Sequence, residues 1–451
     1  MTFKSIYPYT QETIAEYPAH TREEIDKKMQ AGWKAFASLR QEGLQNRCTW
    51  MLRAAELLKD NVTEHATIIS KEMGKTLKEA KAEVLKCAAT AEYYAANIEP
   101  LLQPRLINSD GKKSYAAFEP KGIVLAIMPW NFPYWQVFRF AIPNLLAGNA
   151  AMLKHASNVS GCGLAIEKLF LDAGFPAGSF QTVLVSSKEM EPLIADSRVQ
   201  GVTLTGSTPA GMSVAALAGK YIKKTVLELG GSDPFIVLKD ANLAEAAKVA
   251  VKARMQNAGQ SCIAAKRWIV ENSIAEDFTQ QVQSIITSLK QGDPFLPDTD
   301  TGPMARPDLA EELEKQMDQS IEKGAQLLAG GERDGCNFIP ALLTNVKPGM
   351  AAFDEETFGP VAAIITANDE AAAIRLANQT PFGLGAALWT KDIEKAARLA
   401  TLIESGNVFI NAMVRSDARL PFGGIKQSGY GRELSVEGVH EFMNIKTVYI
   451  Q

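Results

Sequence analysis

The sequence predicts an α/β protein built from two parallel-sheet domains with a small β appendage, and three observations carry that reading. Short apolar strands alternate with helical stretches from Gly122 onward, and the same rhythm restarts after Gly230-Gly231. At 451 residues the chain also exceeds the size at which a single hydrophobic core stops growing.

Residues 21 to about 97 read as helical. Thr21 with Glu24 three residues later forms a capping box, and Ile25, Met29, Trp33 and Phe36 recur at helical spacing. Two further helices are expected near 44 to 72 and 76 to 97. The polar run Asn108-Ser109-Asp110-Gly111-Lys112-Lys113 then separates two extended stretches, the pattern of a projecting hairpin with little core of its own. The first alternating run predicts strand 123 to 127, helix 134 to 147, strand 150 to 153, helix 160 to 173, and strands 182 to 185, 201 to 205 and 225 to 229. The second predicts strand 235 to 238, helix 242 to 257, strand 266 to 270, helix 274 to 290, and strands 361 to 365, 386 to 389 and 408 to 410. The tail holds an extended Thr447-Val448-Tyr449-Ile450, apolar enough to pair with another sheet edge, that of a second subunit included.

Composition narrows the function classes. A chain 46% hydrophobic and 22% charged is an ordinary globular protein, and a net charge of −4 offers no basic field for nucleic acid or anionic lipid. The N-terminus lacks the apolar core of a secretory signal, and no segment approaches the run of about 18 apolar residues that spans a membrane. A cytosolic protein acting on small molecules is expected. The five cysteines stand singly and the four histidines lie at no ligand spacing, which predicts reduced thiols and no metal site.

The chemistry concentrates in a few residues. Cys262 follows Gly259-Gln260-Ser261, a sequence suited to a tight turn, and a thiol can attack an aldehyde carbonyl. Its thiolate is the reactive form, so it needs surroundings that favour the anion. Glu228 lies thirty-four positions earlier in Glu228-Leu229-Gly230-Gly231 and could activate the water that releases an acyl product. Asn131, after a strand in Pro129-Trp130-Asn131-Phe132-Pro133, offers a carboxamide to the oxyanion that such an attack creates, or alternatively an N-cap. Gly206 and Gly211 follow a strand and open a helix, a context for phosphate binding, although the spacing is not G-x-G-x-x-G. Lys154 ends a neighbouring strand within reach of a ribose or an added phosphate.

Taken together, these motifs resemble the aldehyde dehydrogenase superfamily. Pro129-Trp130-Asn131-Phe132-Pro133, Thr205-Gly206-Ser207, Glu228-Leu229-Gly230-Gly231, Gly259-Gln260-Ser261-Cys262, Glu355-Glu356-Thr357-Phe358-Gly359-Pro360 and Pro421-Phe422-Gly423-Gly424 carry the resemblance over nearly the whole chain. It implies a Rossmann-like dinucleotide-binding domain (1 to 103 and 122 to 229), a second such fold for catalysis (230 to 430), and a β oligomerisation element (104 to 121 and 431 to 451) serving a homodimer or homotetramer. It also implies Cys262 as nucleophile, Asn131 and the Cys262 N–H as oxyanion donors, and Glu228 as base. Lys154 and Glu356 would sit at the two riboses, Trp130 and Ser207 near the pyrophosphate with Gly206, and Phe358 beside the nicotinamide.

Within that superfamily the chain looks most like the bacterial succinate-semialdehyde dehydrogenases. By similarity Arg139 and Ser416 bind the distal carboxylate of the substrate. Three positions depart from related patterns. Ser157 replaces a glutamate that in many NAD-preferring members bonds the adenosine ribose, which admits NADP as well as NAD. Gln256 replaces an arginine six residues before the nucleophile, with Arg415 or Arg419 as candidate compensation. Ala264 replaces a second cysteine, so no regulatory disulfide is expected there. The resulting expectation is NAD(P)-dependent oxidation of succinate semialdehyde to succinate. Another short or carboxylated aldehyde such as glutarate semialdehyde, an acyl transfer to coenzyme A, and a non-catalytic dinucleotide-binding protein are the alternatives.

Overall fold

In the computed structural model, which describes residues 1–451, the chain forms two large, mostly parallel sheets. The first has six strands in the order Gly429–Tyr430, Lys224–Glu228, Val199–Thr205, Ile123–Met128, Ala150–His155 and Phe180–Thr182. Its inner strands are buried on both faces and read as near-continuous apolar runs, as parallel strands covered by helices must. Only Gly429–Tyr430 runs antiparallel, against Lys224–Glu228. The second sheet has seven strands with Asp233–Val237, Ala265–Glu271 and Val361–Ala367 near its centre, and its edge strand Gln326–Ala329 is antiparallel.

Helix Trp135–Ala147 packs between the first sheet and the N-terminal helices, and all of its residues are buried. Each of its phenylalanine and leucine side chains contributes about 1.5 to 3 kcal/mol by leaving water. Glu83, on the long helix Leu77–Leu102, reaches across to the start of this helix and accepts the backbone N–H groups of Tyr134 and Trp135, both at 2.9 Å. Those donors would otherwise have no intrahelical partner.

A third sheet stands apart from these two. Lys113–Pro120 pairs antiparallel along its whole length with Met443–Ile450, and Arg105–Ile107 completes the sheet. The hairpin and the extended tail expected from the sequence are therefore neighbours within one chain.

Several boundaries differ from the sequence reading. The expected helix 44 to 72 is two helices, Leu44–Asp60 and Val62–Met73, because Asn61 leaves helical geometry and its side chain bonds the Leu57 carbonyl. The strand placed at 182 to 185 is Phe180–Thr182; beyond it, the Leu184 carbonyl accepts the His20 backbone N–H and the Leu184 N–H donates to His20 Nδ1 instead of extending the ladder. Helix 242 to 257 stops at Met255, where Asn257 and Ala258 turn to positive φ. Pro133 precedes the Trp135–Ala147 helix instead of sitting in its first turn. The hairpin Thr2–Ile6 with Thr13–Pro18 and the helix Pro307–Glu322 were not expected.

Candidate active site

In the first sheet the chain reverses direction of travel around Ile123–Met128, which has Ala150–His155 on one side and Val199–Thr205 on the other. Open α/β sheets bind ligands at the carboxyl ends of strands flanking such a point. Trp130 and Asn131 follow one of these strands, and Gly206 and Ser207 follow the other. They line a cavity of about 620 Å³ together with Glu356, Phe358 and Cys262. Trp130 and Phe358 meet edge to face at 5.8 Å, and Ser207 caps the helix Thr208–Lys220 by accepting the Ala210 N–H.

A second cavity, of about 220 Å³, opens on the other side of Cys262. Its walls include Lys86, Arg139, Gln256, Ser416 and Phe422. Cys262 is the only residue among the predicted catalytic ones that lines both spaces.

The loop carrying Cys262 is fixed by unusual backbone geometry. Asn257, Ala258 and Gly259 have φ of 57°, 50° and 70° in succession. A Cβ at Gly259 would lie 2.2 Å from the Gly359 carbonyl oxygen, so only glycine fits there. Arg254, fully buried, ties this loop to the segment around Thr357 by donating to the carbonyls of Gly259, Thr357 and Val361. Asn131 Nδ2 donates to the Gln260 carbonyl at 3.1 Å, and the Asn131 carbonyl accepts from Asn257 Nδ2. Tyr134 occupies the N-cap position of the following helix, so the cap reading of Asn131 does not hold.

Electrostatics around the thiol are mixed. Lys266 Nζ donates to the carbonyls of Ser261 and Cys262 at 2.9 and 2.8 Å and pairs with Glu356 at 3.3 Å. Glu356 also accepts the Gly231 N–H. Burial pushes the Cys262 thiol up to about 12, against the smaller pull of Lys266 and Arg139 in the other direction. The protein alone therefore does not provide the anion-favouring surroundings that the chemistry needs, and the thiol is protonated at neutral pH.

Glu228 is buried at the end of its strand, and its carboxylate accepts no hydrogen bond from the protein. Desolvation raises its pKa well above the usual carboxylate range, and Glu433 raises it further while Arg139 opposes the shift. A Cβ on Gly423 would lie 2.9 Å from its Oε1, so that glycine leaves the carboxylate its space. Glu228 lines neither cavity in this position.

The other predicted residues divide in the same way. Arg139 and Ser416 line the smaller cavity, but each already has a partner: Arg139 is ion-paired with Glu433, and Ser416 accepts from Lys86 Nζ at 2.7 Å. Gln256 stands exposed on the same wall. Lys154 and Ser157 lie outside the larger cavity's lining, at the end of Ala150–His155 and the start of the turn after it. Gly211 packs against Leu229 within its helix and does not reach the cavity. Arg419 is held by Asp417 away from the site. Sequence reasoning missed Lys266, Glu433 and Lys86. A signal existed for the first: two cations, Lys266 and Arg267, interrupt an otherwise apolar strand.

Comparison with known proteins agrees with this arrangement. The aldehyde dehydrogenase family model matches residues 1–448. The chain belongs to that family. A probable succinate-semialdehyde dehydrogenase of Synechocystis, named for NADP(+), is 49% identical over the whole of both chains. The corresponding enzyme 1 of Mycobacterium tuberculosis, also named for NADP(+), is 46% identical over the same extent. Among solved structures, succinic semialdehyde dehydrogenase from Streptococcus pyogenes in complex with NADP+ superposes with a TM-score of 0.97 at 36% identity, covering 99% of each chain.

Proposed function

We propose that this aldehyde dehydrogenase oxidises succinate semialdehyde to succinate with NADP+, accepting NAD+ as well, through a thioester on Cys262. The observation that carries the reading is the position of Cys262 between two cavities, one shaped for a dinucleotide and the other walled by cations and hydroxyls. Full-length relatives named for the same substrate and cofactor support it. The larger cavity fits a dinucleotide: it offers a 13-residue helix N-terminus for phosphate, the Glu356 carboxylate for sugar hydroxyls and the Trp130–Phe358 pair for a flat ring. Lys154 forms no ion pair and Ser157 brings no negative charge, which suits a phosphate on the adenosine ribose.

Cys262 gives up its thiol proton to water, its Sγ adds to the aldehyde carbon, and the resulting oxyanion is held by Asn131 Nδ2 and the Cys262 N–H. Asn131 spends one of its two amide hydrogens on Gln260, and the Cys262 N–H donates to no backbone carbonyl, so both donors are free for this task. Such preorganised donors each contribute about 3 to 4 kcal/mol to the transition state. When bound, the nicotinamide supplies the two-electron acceptor for the hydrogen that leaves the aldehyde carbon. Glu228 then takes a proton from water as it attacks the thioester. To act so it must be ionised, which its burial opposes, and turn from the Arg139–Glu433 pair toward Cys262. Glu228 also argues against transfer to coenzyme A, which needs no hydrolytic base.

We further infer that the first sheet with its N-terminal helices binds the dinucleotide, that residues 230 to 430 carry catalysis, and that the three-stranded sheet joins subunits into a dimer or tetramer. Exposed Leu106, Ile445 and Tyr449 on that sheet support the last point. Five unpaired cysteines suit a reducing compartment such as the cytosol. The test is an aldehyde panel assayed with each cofactor by the absorbance of reduced nicotinamide. Succinate semialdehyde with NADP+ should give the highest kcat/KM; equal turnover of butanal would remove the substrate assignment.

A further inference from the structure

The smaller cavity is lined by four cations, Lys75, Lys86, Arg139 and Arg415. Lys75 is paired with Glu83 and stacks on Phe132, Arg139 is paired with Glu433, and Arg415 is exposed to solvent. Lys86 alone is half-buried and without a carboxylate. Its Nζ donates to the neutral Ser416 hydroxyl at 2.7 Å and lies 3.9 Å from the centre of the Trp135 ring. An ammonium has three donors and tolerates desolvation poorly without an anion, so a carboxylate entering the cavity would meet an unmet demand. Arg139 is in the opposite state. It is 2% exposed and balanced by Glu433, with its Nη2 also near Thr205 Oγ1, so an incoming acid would have to share a guanidinium that is already engaged.

We propose that Lys86 is the specificity-determining cation that holds the distal carboxylate of the substrate, with the Ser416 hydroxyl beside it and the Trp135 ring beneath. The proposal rests on the reading of this cavity as an aldehyde-acid site and reassigns which residue recognises the acid. It also accounts for Gln256: the positive charge missing from that wall is supplied from the helix Leu77–Leu102 opposite. Arg139 then serves the cavity as a wall of fixed charge tied to Glu433.

A pH signature follows. Facing Lys86 are Glu83 and Cys87 from its own helix, Arg139 from the helix Trp135–Ala147, and Asp417 from the loop that bears Ser416. Both carboxylates are committed elsewhere, Glu83 to Lys75 and Asp417 to Arg419. Burial, helped by Arg139, lowers the Lys86 ammonium to about 8. In the free enzyme its charge is present below that pH and lost above it, while the substrate acid stays anionic throughout.

The experiment compares kcat/KM for succinate semialdehyde and for butanal, with saturating NADP+, in the wild type, Lys86→Met and Lys86→Arg. The ratio of the two removes any titration of Cys262 common to both aldehydes. The expected result is a fall in that ratio of about tenfold or more in Lys86→Met, substantial recovery in Lys86→Arg, and a wild-type ratio that declines above pH 8 where the Lys86→Arg ratio stays level. A wild-type preference for the acid that survives in Lys86→Met overturns the proposal and leaves the aldehyde-acid site intact. A wild type with no preference for the acid overturns both. Should Lys86→Met fail to fold, the wild-type and Lys86→Arg pH profiles decide alone, and parallel profiles count against Lys86.

Discussion

At the scale of single residues, burial pushes both groups of the proposed mechanism, Cys262 and Glu228, toward their neutral forms. Burial holds the Cys262 thiol up to about 12, so its thiolate fraction in the protein without cofactor should grow about tenfold per pH unit through the neutral range. Alkylation of Cys262 by iodoacetamide, followed by peptide mass spectrometry, should accelerate from pH 6 to pH 9 without levelling off; a plateau near pH 7 would contradict that environment. The other four cysteines are buried and should label more slowly. Glu228 is raised for the same reason of desolvation, so deacylation should speed up as pH rises and the carboxyl loses its proton. Glu228→Gln should retain the first burst of reduced nicotinamide while steady-state turnover drops by about a hundredfold or more. A variant with unchanged steady state would remove Glu228 from the role of base. Cys262, Asn131 and Glu228 were legible because short motifs surround each of them. Their protonation was not, because it depends on how deeply three-dimensional packing removes water.

At the scale of elements, the helix Trp135–Ala147 is the piece on which the site depends. It follows Asn131 directly, carries Arg139 and supplies the ring beneath Lys86, and its first turn is anchored by Glu83 from another helix. Glu83→Ala leaves Lys75 buried without its partner and two backbone donors unmet, and removing one member of such a pair costs about 3 to 5 kcal/mol. A clear loss of Tm in calorimetry, with a raised KM for aldehydes in whatever folds, is the expected outcome; an unchanged Tm would show that the anchor is dispensable. The apolar alternation announced this helix and most sheet strands, since buried strands and helices leave strong periodic marks. Asn61 and Leu184 escaped for a shared reason. Asn61 bonds its own helix four residues back and Leu184 bonds the distant His20; each competes with the regular ladder, and hydropathy carries no trace of that competition. Lys86 and Lys266 escaped similarly, because a lysine that enters a cavity and one that lies in solvent look alike in sequence.

At the scale of the whole molecule, distant parts of the chain close on one another. The final strand Met443–Ile450 pairs with Lys113–Pro120, and Gly429–Tyr430 returns to the edge of the first sheet beside Glu228. The resulting three-stranded sheet exposes Ile445 and Tyr449 on one face and Leu106 on the other, apolar surface that suits the subunit contact proposed above. Leu106→Glu combined with Ile445→Glu should reduce the mass measured by light scattering to that of a smaller assembly; an unchanged mass would move the subunit contact elsewhere. The extended tail was foreseen as a pairing strand and the family resemblance grouped it with the 104 to 121 hairpin, whereas the register between them needed the fold to be seen. The placement of Cys262 also bears on the order of events during turnover. On the proposed reading the two ligands approach the sulfur from separate rooms, so the spent carrier could depart and be replaced while the acyl group stays attached, without either blocking the other's exit.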